Sequence, residues 1–238
     1  MNPEKPLAIV AGVGPGLGAA LCRQFSAAGY AVAGLARTRH HTNALAAELE
    51  AGGGSTLMLA CDLTDEAAAH TAMEEATDRL GPPEILVYNA GAIAMHAFAE
   101  TPVEDFDRLW AINCRGAFLC ARHVVPAMQA RGQGTIIFTG ASAATKPAAR
   151  FAAFGAAKFA LRGMAQAMAR ELGPQGIHVA HVIIDGMILT PKNRDRPGVT
   201  TDNTLDPDAI AQTYLALIRQ NRSAWTQEID LRPNVETF

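Results

Sequence analysis

The chain reads as an α/β protein: a doubly wound, mostly parallel sheet of seven strands with helices on both faces. Three observations predict this class. Short β-branched or apolar runs alternate with amphipathic helical stretches. A glycine-rich turn joins the first run to the first helix. At 238 residues, 49% of them hydrophobic, the chain is long enough to bury a sizeable core without disulfides or metals. Parallel neighbours need right-handed crossovers, which lay helices on both faces of the sheet. One domain over residues 1–238 is expected, because no linker or internal repeat interrupts the alternation.

The strand runs, in order, are LAIVAG at 7–12, AVAGLA at 31–36, TLMLACD at 56–62, EILVYNAG at 84–91, GTIIFTG at 134–140, IHVAHVII at 177–184 and WTQEIDL at 225–231. AGGGS at 51–55 is a turn between helix and strand. Asp62, Thr64 and Asp65 offer caps to a helix that runs to Leu80 and stops at the following Gly-Pro-Pro. Thr101 and Pro102 open the next, VEDFDRLWAINCRGAFLCARHVVPAM, which reads as one helix. The longest irregular stretch runs from Asp185 to Pro207. A loop of that length in a compact domain is usually functional or mobile, and at a strand's carboxyl end it borders the ligand crevice. Residues 186–207 are therefore expected to form a flexible substrate lid.

Charge excludes one class of partner. The net charge is -3 and the 20 Lys and Arg residues are scattered, so no nucleic-acid surface is expected. No apolar run reaches membrane-spanning length. The opening MNPEKPLAIVAG lacks the charged, apolar and cleavage regions of a secretory leader, so a cytoplasmic protein without a membrane partner is expected. Cys22, Cys61, Cys114 and Cys120 show neither CxxC nor Cys/His ligand spacing and read as reduced, packed thiols, with no metal site.

The turn is IVAGVGPGLGAAL, with Gly12, Gly14, Gly16, Leu17 and Gly18 in sequence. Glycines allow a tight turn and bring backbone N–H groups close to a pyrophosphate at a helix N-terminus. The same glycines would also suit a tight packing turn. The spacing Gly12-x-x-x-Gly16-x-Gly18 resembles the short-chain dehydrogenase/reductase family more closely than the GxGxxG of other Rossmann enzymes. The resemblance accumulates along essentially the whole chain in Asp62-Leu63, Asn89-Ala90-Gly91 after Tyr88, Asn113-x-x-Gly116, Lys158, and Gly186-x-Ile188-x-Thr190.

The resemblance implies a Rossmann-fold oxidoreductase acting on a small molecule. It implies adenine contacts at Asp62 and Leu63, a structural turn at Asn89, Ala90 and Gly91, and nicotinamide contacts at Gly186, Ile188 and Thr190. Lys158 would hold the ribose, and Asn113 would maintain a relay water. A homotetramer or homodimer built on the helices around Asn113 and Lys158 is also implied. In dinucleotide folds an acid ending the second strand binds the ribose diol, whereas a base there accommodates a 2′-phosphate. Here Ala36 is followed by Arg37, with Arg39 and His40 close behind. NADP(H) is preferred on this ground and NAD(H) remains possible; a basic surface loop would look the same.

Three positions depart from the family. Its catalytic tyrosine stands four residues before the lysine, and here that residue is Phe154. Counting back to the serine position lands on Ala141, with Ser142 beside it; Ser142 either orients the substrate or is an ordinary turn serine. Asp185 stands where proline commonly precedes the glycine, and a turn or capping role is the plainer reading.

General acid–base catalysis contributes about 10²- to 10⁴-fold, or roughly 3 to 5.5 kcal/mol. Positioning contributes about 7 to 11 kcal/mol. Loss of the hydroxyl therefore narrows the substrates rather than abolishing hydride transfer. Enones, quinones and imines, which spread the charge or begin positive, are expected. Ser142, Lys146, Tyr88 and His96 are the alternative proton sources, although Tyr88 also reads as core and His96 as a solvated loop residue. Met95, Phe98, Phe151, Phe154, Met187 and Ile188 would make the pocket apolar, and core packing explains some of them equally well. The competing reading is a non-catalytic NADP(H)-binding sensor or interaction protein.

Overall fold

The strand runs form one parallel sheet because each is apolar on both sides. In the computed structural model, which describes residues 5–40 and 42–236, the strands are β1 (Leu7–Ala11), β2 (Ala31–Ala36), β3 (Thr56–Ala60), β4 (Pro83–Tyr88), β5 (Gly134–Thr139), β6 (Ile177–Ile184) and β7 (Glu228–Leu231). Their order is β3-β2-β1-β4-β5-β6-β7, and every pairing is parallel. The first four residues of the segment read as lacking a leader lie outside the described residues.

Alternate side chains enter opposite cores, as the two-residue strand period requires. Leu7, Ile9, Leu35 and Leu86 pack with Met73, Val124 and Leu161 from α3 (Glu66–Leu80), α5 (Gly116–Arg131) and α6 (Ala152–Leu172). Ala8, Val10, Val32 and Val87 pack with Phe25, Leu45 and Tyr214 from α1 (Leu17–Ala27), α2 (Thr42–Ala51) and α7 (Pro207–Ile218). All four cysteines are buried free thiols. Among the described residues no helix is long and apolar enough to cross a membrane.

Local chemistry corrects three boundaries. Of the three candidate caps before α3, Asp65 does the capping by accepting from Ala68 N at 3.0 Å. The stretch read as one helix from Val103 is α4 (Val103–Trp110), one π-helical turn (Ala111–Arg115) and α5. A π turn leaves carbonyls without their usual partners, and the Asn113 side chain takes one of them, Leu109 O, at 3.0 Å. The last strand begins at Glu228, three residues later than expected. Thr226 N instead donates to Gln220 Oε1 at 2.8 Å, and the Trp225 ring stacks on His178 at 4.9 Å.

The segment after β6 is also more organised than its composition suggests. Leu189 N donates to Leu205 O at 2.9 Å and Leu205 N to Met187 O at 2.8 Å, closing a bridge at the base of the predicted lid. Asn193 Oδ1 accepts from Thr190 N at 2.8 Å while its Nδ2 donates to Ile188 O at 2.8 Å. These bonds fix Ile188 and Thr190 beside the carboxyl ends of the strands.

Candidate active site

The glycine turn is held by the end of β4. Gly12 has φ +102, and a Cβ there would stand 2.3 Å from Ala90 N, so both its conformation and its space demand glycine. Asn89 Nδ2 donates to Gly12 O at 2.9 Å, while Asn89 N and Ala90 N share Ala11 O. Gly18 packs on Gly12 O, and the Thr190 methyl fills the space over Gly16. Leu17 is buried in the core that α1 covers. A Cβ on Gly14 would meet nothing within 4 Å, and no side chain caps the first turn of α1. The turn is thus a rigid, open cradle of backbone donors at a helix N-terminus, suited to an anion.

That cradle opens into a cleft of 370 Å³ whose walls include Gly12, Arg37, Asp62, Leu63, Ala92 and Arg108. Arg37 is exposed at the end of β2. Asp62 Oδ1 accepts from Thr64 N at 2.9 Å and Thr64 Oγ1 at 2.8 Å. Those bonds, with a smaller contribution from Arg37, hold its carboxyl below the usual range. A larger cavity of 600 Å³ between α3 and α5 shares no residue with the glycine turn.

The π turn and α6 bring Asn113 and Lys158 together at Gly91. Asn113 is fully buried; its Nδ2 donates to Ala92 O at 2.9 Å, and its Oδ1 accepts from Ala92 N at 3.3 Å. A Cβ on Gly91 would stand 3.1 Å from Asn113 Oδ1 and 3.7 Å from Lys158 Nζ, so this glycine lets the loop lie flat over both groups. Lys158 Nζ donates to Thr139 O at 3.0 Å. Thr139 Oγ1 in turn meets Asn89 Oδ1 at 3.2 Å and Tyr214 Oη at 2.9 Å. Nothing in the sequence singled out Thr139, whose role depends on three elements meeting at one strand end. Burial lowers the Lys158 ammonium from 10.5 to about 8.

Phe154 occupies the space beside this lysine. Its ring centroid is 5.9 Å from Lys158 Nζ, and its edge meets Phe151 at 6.4 Å. Its apolar neighbours include Ala141, Leu109, Ala92 and Ala94. Ser142 opens the single helical turn Ser142–Ala144, where its backbone carbonyl accepts from Thr145 N and Lys146 N.

The other candidate proton sources are placed very differently. Tyr88 is fully buried and donates to Ile112 O at 2.6 Å, so it braces the π turn; burial pushes its hydroxyl well above the ordinary value. Lys146 lies 2.9 Å from the buried carboxylate of Asp185, which also meets Arg232 at 3.4 Å. Asp185 is therefore the centre of an ion cluster rather than a cap. His96 Nε2 lies 2.7 Å from Asp105 Oδ2, a partner nine positions away that no sequence signal indicated. Gly186 has φ +147 against Pro233 and Leu205. Met95, Phe98 and Met187, expected to make the pocket apolar, are 50%, 84% and 43% exposed.

The short chain dehydrogenase profile matches residues 6–197, which contain the cradle, Asn113 and Lys158. The chain belongs to the short-chain dehydrogenase family. A short-chain dehydrogenase/reductase of Armillaria gallica is 34% identical over 189 residues, covering 78% of this chain and 72% of that protein. The crystal structure of a short-chain dehydrogenase from Rhodopseudomonas palustris superposes with a TM-score of 0.83 at 36% identity, over 97% of this chain and 100% of the other. A metagenomic short-chain oxidoreductase in complex with NADP gives a TM-score of 0.84 at 28% identity, over 97% and 98%. The seven-stranded Rossmann fold of this short-chain dehydrogenase is thus shared along nearly its whole length.

Proposed function

We propose that this short-chain dehydrogenase is an NADP(H)-dependent oxidoreductase that reduces small conjugated or cationic substrates, such as quinones, enones and imines. The observation that carries the reading is the convergence of Lys158 and Asn113 under Gly91, at the end of a cleft that begins in an open glycine cradle. The donor set fits a dinucleotide. Gly12, Gly14, Gly16 and Gly18 would cradle the pyrophosphate, with Leu17 packing the helix behind them. Arg37 would meet the 2′-phosphate, since guanidinium makes charge-assisted, often bidentate bonds to phosphate. Asp62 and Leu63 would border the adenine, Asn89, Ala90 and Gly91 would support the ribose, and Gly186, Ile188 and Thr190 would border the nicotinamide.

When bound, NADPH supplies a hydride. Lys158 would hold the ribose through a cation already oriented by Thr139 O, and Asn113 fixes the loop that covers it. Phe154 and Ala141 give the reacting carbonyl no hydroxyl donor, which disfavours a localised alkoxide and favours products whose charge spreads over a conjugated system. Ser142, next to Ala141, would orient the substrate if its hydroxyl reaches the carbonyl; otherwise it is a turn serine. The 186–207 segment is read as a lid hinged beyond the Leu189–Leu205 bridge.

The test is a fluorescence titration with NADPH and NADH side by side. NADPH is expected to bind at least tenfold more tightly, a preference of about 1.4 kcal/mol, and Arg37→Ala is expected to remove it. Equal affinities would remove the NADP(H) preference, tighter NADH binding would make NAD(H) the cofactor, and binding without reduction of any quinone, enone or imine would favour the non-catalytic sensor.

Assembly belongs to the same reading. Phe106 and Trp110 on α4, Phe118 on α5 and Phe159 on α6 are each more than 40% exposed, on the helices around Asn113 and Lys158. We propose that these faces pair copies of the chain into a homodimer or homotetramer. Sedimentation velocity is expected to show a dimer or tetramer, which Phe118→Glu with Phe159→Glu converts to monomer.

A further inference from the structure

We propose that His181 is a positioning residue for Lys158: while neutral it closes a ring of contacts that holds the ammonium on Thr139 O, and a proton gained by the imidazole opens that ring. The consequence for dinucleotide binding rests on the oxidoreductase reading above, whereas the ring itself belongs to the unloaded protein.

The ring begins on one face of α6. Lys158 and Arg162 are four residues apart and so lie one turn from each other on the same side of the helix. Lys158 Nζ reaches the last residue of β5, donating to Thr139 O at 3.0 Å. Arg162 reaches β7, where its Nε and Nη2 donate to Glu228 Oε2 and Oε1, each at 2.7 Å. His181 stands on β6, between those two strands, and joins the ends. Its Nδ1 lies 3.0 Å from Glu228 Oε2, and its Nε2 packs on Gly140, the residue after Thr139. A Cβ on Gly140 would stand 2.3 Å from that nitrogen and 2.6 Å from Cε1, so glycine is what admits the imidazole.

The surroundings assign the imidazole its neutral, Nδ1-protonated form. The Arg162 guanidinium holds the Glu228 carboxyl below its usual range, so the carboxylate accepts and Nδ1 donates. Nε2 is buried with no hydrogen-bond partner, on a side chain that is 0% exposed. Among the described residues, the charged groups facing the imidazole are Glu228 from β7, which favours a second proton, and Lys158 and Arg162 from α6, which oppose it. On the β5 side it meets uncharged Gly140. Burial, with the two cations, holds the imidazole below its ordinary value despite Glu228.

A proton on Nε2 would create a buried N–H that points at Gly140, and a third cation sharing one carboxylate. Both effects cost free energy, and both are relieved when the ring withdraws from Gly140. Gly140 N is bonded to Val182 O at 2.7 Å, beside His181 on β6, so the strand end that presents Thr139 O shifts with it. Acidification through the imidazole titration therefore loosens Lys158, and raising the pH restores its hold.

The experiment compares wild type with His181→Gln, whose amide still donates to Glu228 but gains no proton, and with Glu228→Gln. In the unloaded protein, ¹³C-lysine NMR follows the Lys158 ε-carbon from pH 8 to 5, assigned with Lys158→Met against Lys5, Lys146 and Lys192. That signal is expected to shift with the His181 titration, read in parallel by ¹⁵N-histidine NMR, and to stay flat in His181→Gln. Glu228→Gln is expected to move the imidazole titration to lower pH, because the lost carboxylate favoured the imidazolium. Between pH 8 and 5.5, NADPH affinity by fluorescence is expected to fall about tenfold more in wild type than in His181→Gln, one pH unit of coupling. Titration of the 2′-phosphate is common to both proteins. An imidazole protonated on Nε2 at pH 8 or still neutral at pH 5, a Lys158 signal blind to His181, or equal affinity profiles overturns the positioning role. The wild-type spectra decide the matter if His181→Gln does not fold. A wild type whose Lys158 follows His181 but which binds no NADPH overturns the oxidoreductase reading and leaves the ring standing.

Discussion

Phe154→Tyr is expected to raise the reduction of simple aliphatic ketones by about 10²-fold, the lower end of what general acid catalysis supplies. The ring it replaces is buried beside Lys158, with the ammonium 5.9 Å from its centroid. A phenol there gains a cation that favours its ionised form and so sharpens it as a proton donor. Substrates whose charge spreads over a conjugated system need that donor less, so quinone turnover is expected to change far less. Because the neighbour in the cluster is Ala141, the double variant Phe154→Tyr with Ala141→Ser is expected to exceed the single one. Steady-state kinetics with a cyclic ketone and a quinone separate the two effects. Efficient ketone reduction by the wild type, or no gain in either variant, would remove the argument for a conjugated substrate.

The stability of the unloaded protein is expected to rise from pH 8 and then fall above pH 9. Burial lowers the Lys158 ammonium to about 8 in the folded chain against 10.5 unfolded. Between those values the unfolded chain binds the extra proton, so stability increases with pH. At about 1.4 kcal/mol per unit, the full gain attributable to Lys158 is about 3 kcal/mol. The buried thiols act in the opposite direction. Cys22 and Cys120 are pushed up from 9.0 to about 12 and Cys61 to about 11, so above pH 9 it is the unfolded chain that has lost protons. The lysine contribution is therefore read as the difference between wild type and Lys158→Met in urea melts across pH 7 to 10.5. That difference is expected to grow in favour of wild type as pH rises; a flat difference would mean that the ammonium is well solvated in the folded protein.

Bound dinucleotide is expected to flatten the same difference, because a ribose hydroxyl would add a second polar partner to the Thr139 O that Lys158 Nζ already meets. The lysine thus links stability to function: the unloaded protein carries the cost of a buried charge that ligand binding relieves.

Much of this was legible in the residues themselves. Continuous apolar runs such as Leu7–Ala11 and Ile177–Ile184 announced strands covered on both faces, and the alternation with helical stretches announced parallel pairing. Gly12 was legible as the tight turn that its positive φ and the close approach of Ala90 N demand, and Gly91 by its place in the Asn89-Ala90-Gly91 turn. The spacing of Phe154 and Lys158 placed them on one helix face, and both are buried as that face requires. The π turn was not legible, since Val103 to Met128 has one helical pattern throughout and the insertion is stabilised by Asn113 reaching Leu109 O and the separate loop at Ala92. Nor was the shortening of the last strand, which depends on Gln220 and His178 capturing Thr226 and Trp225.

By itself the sequence determined the layered fold, the glycine turn, and Phe154 with Lys158 on one helix face, because each rests on local backbone demands or on spacing along one element. Only the tertiary structure decided that Ala141 packs with Phe154, that Asp185 gathers Lys146 and Arg232, and that His96 meets Asp105. Those pairings join loops from different strands, and where two loop side chains meet is set by the packing of the elements that carry them.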